Sequence, residues 1–239
     1  MTKKVFITGA NKGIGKQIAH QMGNNGWTVL LGARDESRGL TAANELKTEG
    51  IDAIYVNIDL QRHETILTAA DTIKSQHPDL TMLINNAAIP GDMGKPGYDF
   101  TLDELREVME TNVFGTFELT QQLLPILEEN SGRILNISIP IGMSDFFNPF
   151  AYKMSKAALN AMTQSLAQNF SKAEKPLEIF AIMPGGTTTD LNDNMKADFM
   201  KTAPEAGKLI ADIIFDGKNH NSEIINFNGK VADYNNGLF

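Results

Sequence analysis

No cysteine occurs in the chain, which excludes disulfides, thiolate nucleophiles and cysteine-built zinc sites. The absence is compatible with a reducing compartment, and a cytoplasmic location is expected. Only four histidines are present, His20, His63, His77 and His220, and no two share a convincing ligand spacing. No metal site is expected. Long apolar runs are missing too: nothing approaches the ~18 consecutive residues of a membrane span, and Met1 to Gly9 runs into a strand pattern without a signal peptide's apolar stretch. A membrane partner is therefore not expected. Positive charge is scarce, since 21 Lys plus Arg against 29 Asp plus Glu leaves a net charge of −8. Such a surface repels phosphate backbones and anionic lipid, so nucleic acid is not an expected partner either.

What is present fits one core. A chain of 239 residues, 42% of them hydrophobic, suits a single domain spanning 1–239. Short β-branched runs at Lys4–Thr8, Thr28–Ala33, Ala53–Asn57, Leu80–Asn85, Gly132–Ser138, Leu177–Met183 and Glu223–Phe227 alternate with amphipathic stretches. The latter lie at Gly13–Asn24, Glu36–Glu49, His63–Ser75, Leu102–Glu128, Pro149–Ser171 and Pro204–Phe215. This order predicts an α/β fold, a doubly wound, mostly parallel seven-stranded sheet with helices on both faces. Thr101-Leu102-Asp103-Glu104 has capping-box spacing and marks the start of the fourth helix. Two segments break the alternation, Pro90–Phe100 and Thr187–Thr202, and both follow strands on the edge where open α/β sheets bind ligands.

Directly after the first strand comes Thr8-Gly9-Ala10-Asn11-Lys12-Gly13-Ile14-Gly15. Gly9 and Gly13 permit a sharp turn and close approach to a ligand, Gly15 allows the helix to pack on the strand, and the helix N-terminus offers free N–H groups to a pyrophosphate. Asn11, Lys12 and Ile14 belong to the same expected dinucleotide site. In the later helix Tyr152-Lys153-Met154-Ser155-Lys156 sets a phenol and an ammonium four positions apart, hence on one face, about 5–6 Å apart at Cβ. An ordinary phenol, with a pKa near ~10, is a poor base at neutral pH; a neighbouring cation is expected to lower it.

These motifs, in this order over nearly the whole chain, resemble the short-chain dehydrogenase/reductase family, whose glycine turn has the spacing Gly-x-x-x-Gly-x-Gly seen here. The resemblance implies a Rossmann-type fold, a nicotinamide cofactor, Tyr152 as general acid or base and Lys156 as its partner. It assigns Asn112, in Thr111-Asn112-Val113, to a proton relay at a kink of the fourth helix. Asn85-Asn86-Ala87-Ala88 matches a family motif that ends in glycine, with Ala88 as the departure, and places Asn86 and Ala87 at the cofactor. Pro184-Gly185-Gly186-Thr187-Thr188-Thr189 matches the segment that meets the nicotinamide carboxamide, with Pro184, Gly185, Thr187 and Thr189 in contact. Asp59, with Leu60, resembles the acid that meets the adenine. The second strand ends Ala33-Arg34-Asp35, which displaces the acid expected for NAD; Arg34 and Lys12, assisted by Arg38, favour NADP(H) over NAD(H).

One position departs more sharply. Counted back from Tyr152, the family's catalytic serine falls on Ile139, with Ser138 one place early. Strand alternation aims Ser138 away from the site, unless Pro140 bends the chain; Ser144 is another substitute, and outright loss of the hydrogen bond is the third possibility. That gap opens an alternative to catalysis: a sensor or scaffold protein that binds NADP(H) and turns over weakly. Met143, Phe146, Phe147, Phe150, Leu191, Met195 and Phe199 flank the expected nicotinamide, which fits an apolar carbonyl or alcohol substrate and equally fits oligomer packing. The run Val29 to Gly39 is similar to the carbonyl-reductase branch of the family. A homodimer or homotetramer built on the fourth and fifth helices is what the resemblance implies.

Overall fold

A strand flanked by helices on both sides has no polar face, and Thr28–Ala33 is buried at all its positions. The computed structural model describes residues 3–142 and 148–232; Met143, Ser144, Phe146 and Phe147 lie outside the described residues. Seven strands, β1 (Lys4–Thr8), β2 (Thr28–Ala33), β3 (Ala53–Asn57), β4 (Leu80–Asn85), β5 (Arg133–Ile137), β6 (Glu178–Met183) and β7 (Ile224–Asn226), form one sheet in the order β3-β2-β1-β4-β5-β6-β7. All pairs are parallel. The doubly wound, Rossmann-type expectation is met. The direction of strand succession reverses between β1 and β4, so a crevice opens at their carboxyl ends.

Alternate side chains of each strand enter opposite cores. Ile7, Leu31, Ile84, Leu135 and Ile182 pack with residues of α1 (Gly13–Asn24), α2 (Glu36–Thr48) and α7 (Ala203–Ile214). Their neighbours Phe6, Leu30, Leu83 and Ile134, with Ile179, pack with α3 (His63–Gln76), α5 (Gly115–Glu129) and α6 (Phe150–Lys172). No helix of the described residues is long and apolar enough to cross a membrane.

The element expected as one helix from Leu102 to Glu128 is three pieces: α4 (Leu102–Met109), a π turn over Glu110–Phe114, and α5. Thr101 and Glu104 do form the expected capping box at its start. The π turn accommodates two tertiary demands. Asn112 exchanges hydrogen bonds with the backbone of Ile89, accepting from its N–H at 2.8 Å and donating to its carbonyl at 2.9 Å. Gly115 lies so close to the carbonyl of Leu60 that a Cβ would collide with it. A single-residue widening of a helix commonly marks such functional constraints.

Candidate active site

At the end of β1 the buried Thr8 hydroxyl accepts the backbone N–H groups of Asn86 and Ala87, both at 3.1 Å, joining β1 to the segment after β4. The Asn86 carboxamide returns two bonds, to the carbonyls of Thr8 at 2.9 Å and Gly9 at 3.2 Å. Close approach and conformation together demand glycine here: Gly9 has φ +65° and its Cβ would lie 2.9 Å from Ala87 Cα. At Gly15 a Cβ would lie 2.5 Å from the Gly9 carbonyl oxygen. α1 starts with no side-chain cap and no acid in its first turn, so its leading N–H groups face an uncontested anion position.

From this turn a cleft of about 240 Å³ runs across the carboxyl ends of β1, β4 and β5. Gly9, Asn11, Lys12, Gly13, Ile14 and Gly15 line it at the first turn; Arg34, Asp59, Leu60, Asn86, Ala87, Tyr152, Lys156 and Thr189 line it elsewhere. A cleft that offers helix N-terminal amides, glycines and the cations Lys12 and Arg34 suits a dinucleotide's phosphates, so the residues present fit a nicotinamide cofactor. Of the three bases expected at the ribose, the structure brings two. Lys12 and Arg34 border the cleft, whereas Arg38 lies outside it, its guanidinium 3.9 Å from Asp35, whose carboxylate caps α2 by accepting the Arg38 N–H.

The inner end holds Tyr152 and Lys156, both buried on one face of α6, with the ammonium 5.5 Å from the phenol ring centroid. Lys156 donates to the Ile137 carbonyl at 2.7 Å. The expected lowering of the phenol pKa is not what the structure favours. Burial pushes Tyr152 upward and Lys156 down to about 8, because each charged form loses water that its neighbour does not replace. Asn112 is buried and donates to Ser155 Oγ at 3.0 Å, which in turn donates to the Tyr152 carbonyl at 2.7 Å. Asn112 thus connects the segment after β4 to the helix that carries the phenol.

Ser138 is not brought to the cleft. Its N–H continues the sheet ladder to Ile182 O at 2.9 Å, so strand alternation persists past β5 and Pro140 comes too late to turn it. Ile137 lines the cleft; Ser138 is 1% exposed, outside the lining, and its hydroxyl finds no partner among the described residues. Ile139 follows, half-buried, and the second substitute, Ser144, lies outside the described residues. Pro184, Gly185 and Thr187 are likewise not in the lining: Thr187 is buried and turns its hydroxyl back to Gly185 O at 3.2 Å, leaving Thr189, with Asp190 and Leu191 after it, as the segment's contribution.

Sequence reasoning missed several lining residues. Thr8, Ala33, Ile58, Ile89, Thr111 and Asp190 also line the cleft, brought there by the fold from separate strand ends and turns. Only Thr8 carried a usable signal, a hydroxyl immediately before the glycine turn.

Fold and cleft together define a doubly wound α/β protein with a glycine-lined crevice at its topological switch point. The chain belongs to the short chain dehydrogenase family, whose model matches residues 3–199. It is 30% identical to short-chain dehydrogenase/reductase 1 of Saponaria officinalis, over 79% of this chain and 83% of that protein. A 3-oxoacyl-(acyl-carrier-protein) reductase of Aquifex aeolicus is 30% identical, covering 84% of this chain and 82% of the other. Among solved structures, a short chain dehydrogenase of Shigella flexneri complexed with NADP superposes with a TM-score of 0.84 at 28% identity, covering 95% of this chain and 97% of that one.

Proposed function

We propose that this chain is a single-domain, NADPH-dependent reductase of carbonyl compounds, with the reverse alcohol oxidation available to the same site. The observation that carries the proposal is the burial of Tyr152 and Lys156 side by side at the inner end of a cleft whose outer end is a glycine turn. When bound, the nicotinamide would supply the hydride. Tyr152 would donate its proton to the carbonyl oxygen, and burial supports that direction by keeping the phenol protonated at neutral pH. Lys156 would offset the phenolate left behind, and Asn112 would hold the relay by tying Ile89 to Ser155.

Lys12 and Arg34 support NADP(H) over NAD(H), as does the NADP in the similar Shigella structure. Ala88, Ile89, Ile137 and Leu191, which line the same cleft as Tyr152, support an apolar substrate. Phe114 and Phe117, exposed at 53% and 42% around the start of α5, support a homo-oligomer built on the helices of that face. A cytoplasmic location rests on the cysteine-free sequence.

The test is NADPH consumption over a panel of aldehydes, ketones and quinones, beside Tyr152→Phe. Turnover that falls by about 10²-fold or more in the variant, with NADPH still bound, is the expected result. A second reading, an NADP(H) sensor with weak turnover, is favoured by Ile139 and by a lining that offers no serine among the described residues. NADPH binding without Tyr152-dependent turnover would select it. For the cofactor, NADPH is expected to bind more tightly than NADH, with Arg34→Ala erasing the difference; tighter NADH binding by the parent would refute the assignment.

A further inference from the structure

Lys12 and Asp190, 178 positions apart in the chain, meet at the mouth of the cleft, ammonium to carboxylate at 3.0 Å. Lys12 stands immediately before α1, at the phosphate end; Asp190 opens a short 3-10 turn, Asp190–Asn192, in the segment after β6. That segment is a knitted unit. Thr188 N–H donates to Lys201 O and Lys201 N–H to Gly186 O, both at 2.9 Å, and Asn192 donates to Thr187 O at 3.0 Å. Two consecutive non-glycine residues within it, Asp193 and Asn194, hold left-handed backbone at φ 53° and 56°, a conformation that costs side-chain-bearing residues energy. Across the cleft mouth, the Lys12 ion pair ties this unit to the phosphate turn.

The charges at this mouth compete. Among the described residues, Asp190 and Asp59 are the carboxylates of the cleft lining, and Asp190 faces a cation that an anionic ligand also needs. Its carboxyl is held below the ordinary range, first by the Lys12 hydrogen bond, then by Asn194, with the Arg38 charge assisting, so it remains an anion at physiological pH. A phosphate arriving at Lys12 would be attracted by the ammonium and repelled by that carboxylate. Both side chains of the pair are more than half exposed, which keeps the pair weak enough to exchange.

We infer that Asp190 is a built-in counter-anion that occupies Lys12 in the cofactor-free protein, lowering affinity for the phosphorylated cofactor and tying the 187–202 segment to the phosphate turn until a phosphate takes its place. The inference rests on the reading of the cleft as an NADP(H) site. It assigns Asp190 a part in cofactor selection and makes arrival of the cofactor the event that frees the segment bearing Thr189 and Leu191.

The test is a double-mutant cycle read by NADPH and NADH fluorescence titration of the parent, Asp190→Asn, Lys12→Gln and the double variant, with hydrogen exchange of the cofactor-free proteins. Asp190→Asn keeps the shape and the contact with Asn194 while removing the charge. It is expected to tighten NADPH binding about two- to fivefold, the range an exposed ion pair spans, and to tighten NADH less. The gain is expected to vanish in the Lys12→Gln background, and amides of 187–202 to exchange faster in cofactor-free Asp190→Asn than in the parent. Unchanged or weaker NADPH binding by Asp190→Asn, or a gain that survives without Lys12, would overturn the inference while leaving the cofactor reading in place. If the parent bound neither nucleotide saturably, the cofactor reading would fall and the inference with it.

Discussion

Lys156→Met should make the cofactor-free protein more stable. Lys156 is 2% exposed, and burial lowers its pKa from the ordinary 10.5 to about 8. At about 1.4 kcal/mol per decade, that drop means the fold carries a charged amine at a cost of about 3 kcal/mol. Methionine fills a similar volume without charge, but it leaves the Ile137 carbonyl, now bonded at 2.7 Å, without its donor, a loss of about 1–3 kcal/mol. A net gain of about 0–2 kcal/mol remains, which corresponds to a rise of up to about 8 °C in Tm for a chain of this size. The pH dependence follows from linkage. Because the folded pKa is depressed, the unfolded chain binds the proton more tightly between the two values, so the parent's penalty is complete below pH 8 and is relieved as pH rises toward 10.5. Thermal melts of both proteins from pH 6 to 10 should therefore show a gap that is widest at or below pH 7 and closes upward. Groups common to both proteins cancel in the difference. A variant that melts below the parent at pH 6–7, or a gap indifferent to pH, would refute the reasoning.

Gly15→Ala gains about 1 kcal/mol of helix propensity, yet its methyl would sit 2.5 Å from the Gly9 carbonyl oxygen and 3.0 Å from Ala10 Cα; overpacking of about 1–3 kcal/mol should prevail, with a lower Tm and NADPH affinity reduced at least about tenfold. Unimpaired binding would contradict this. Thr8→Val preserves shape but strips the acceptor from two N–H groups, so the urea midpoint should fall by the equivalent of about 2–4 kcal/mol; an unchanged midpoint would show that those groups find other acceptors. Ile139→Ser restores a hydroxyl at the position that the family resemblance reserves for one, and turnover of simple ketones should rise about tenfold or more, since such donors contribute ~10²–10³ elsewhere. Equal turnover would mean that the substrate oxygen never meets that position.

Much of the architecture is legible locally because each element carries its own signal. The near-continuous apolar letters of Thr28–Ala33 suit a strand buried on both faces, which the structure shows, and Thr101 with Glu104 form the cap their spacing announces. The glycine turn is legible for the same reason, since Gly9 needs a positive φ and Gly15 needs contact with the Gly9 carbonyl. Arg38 reads in the sequence as an assistant to Arg34 and Lys12, but one turn of α2 carries it out of the cleft lining and toward Asp35. The π turn at Glu110–Phe114 left no mark in periodicity, because its cause lies in Ile89 and Leu60, far away in the chain.

The chain by itself determined the alternation of strand and helix, the class of ligand its first turn invites and the pairing of Tyr152 with Lys156, since all three depend on residues a few positions apart. Only tertiary structure decided the sign of the pKa changes at that pair, because desolvation depends on how the whole core closes around it. It also decided that Ser138 turns from the cleft, by continuing the ladder to Ile182, and that Asp190 meets Lys12 across the cleft mouth. Short-range geometry is written in neighbouring letters; burial and long-range charge contact exist only once the sheet has brought distant segments together.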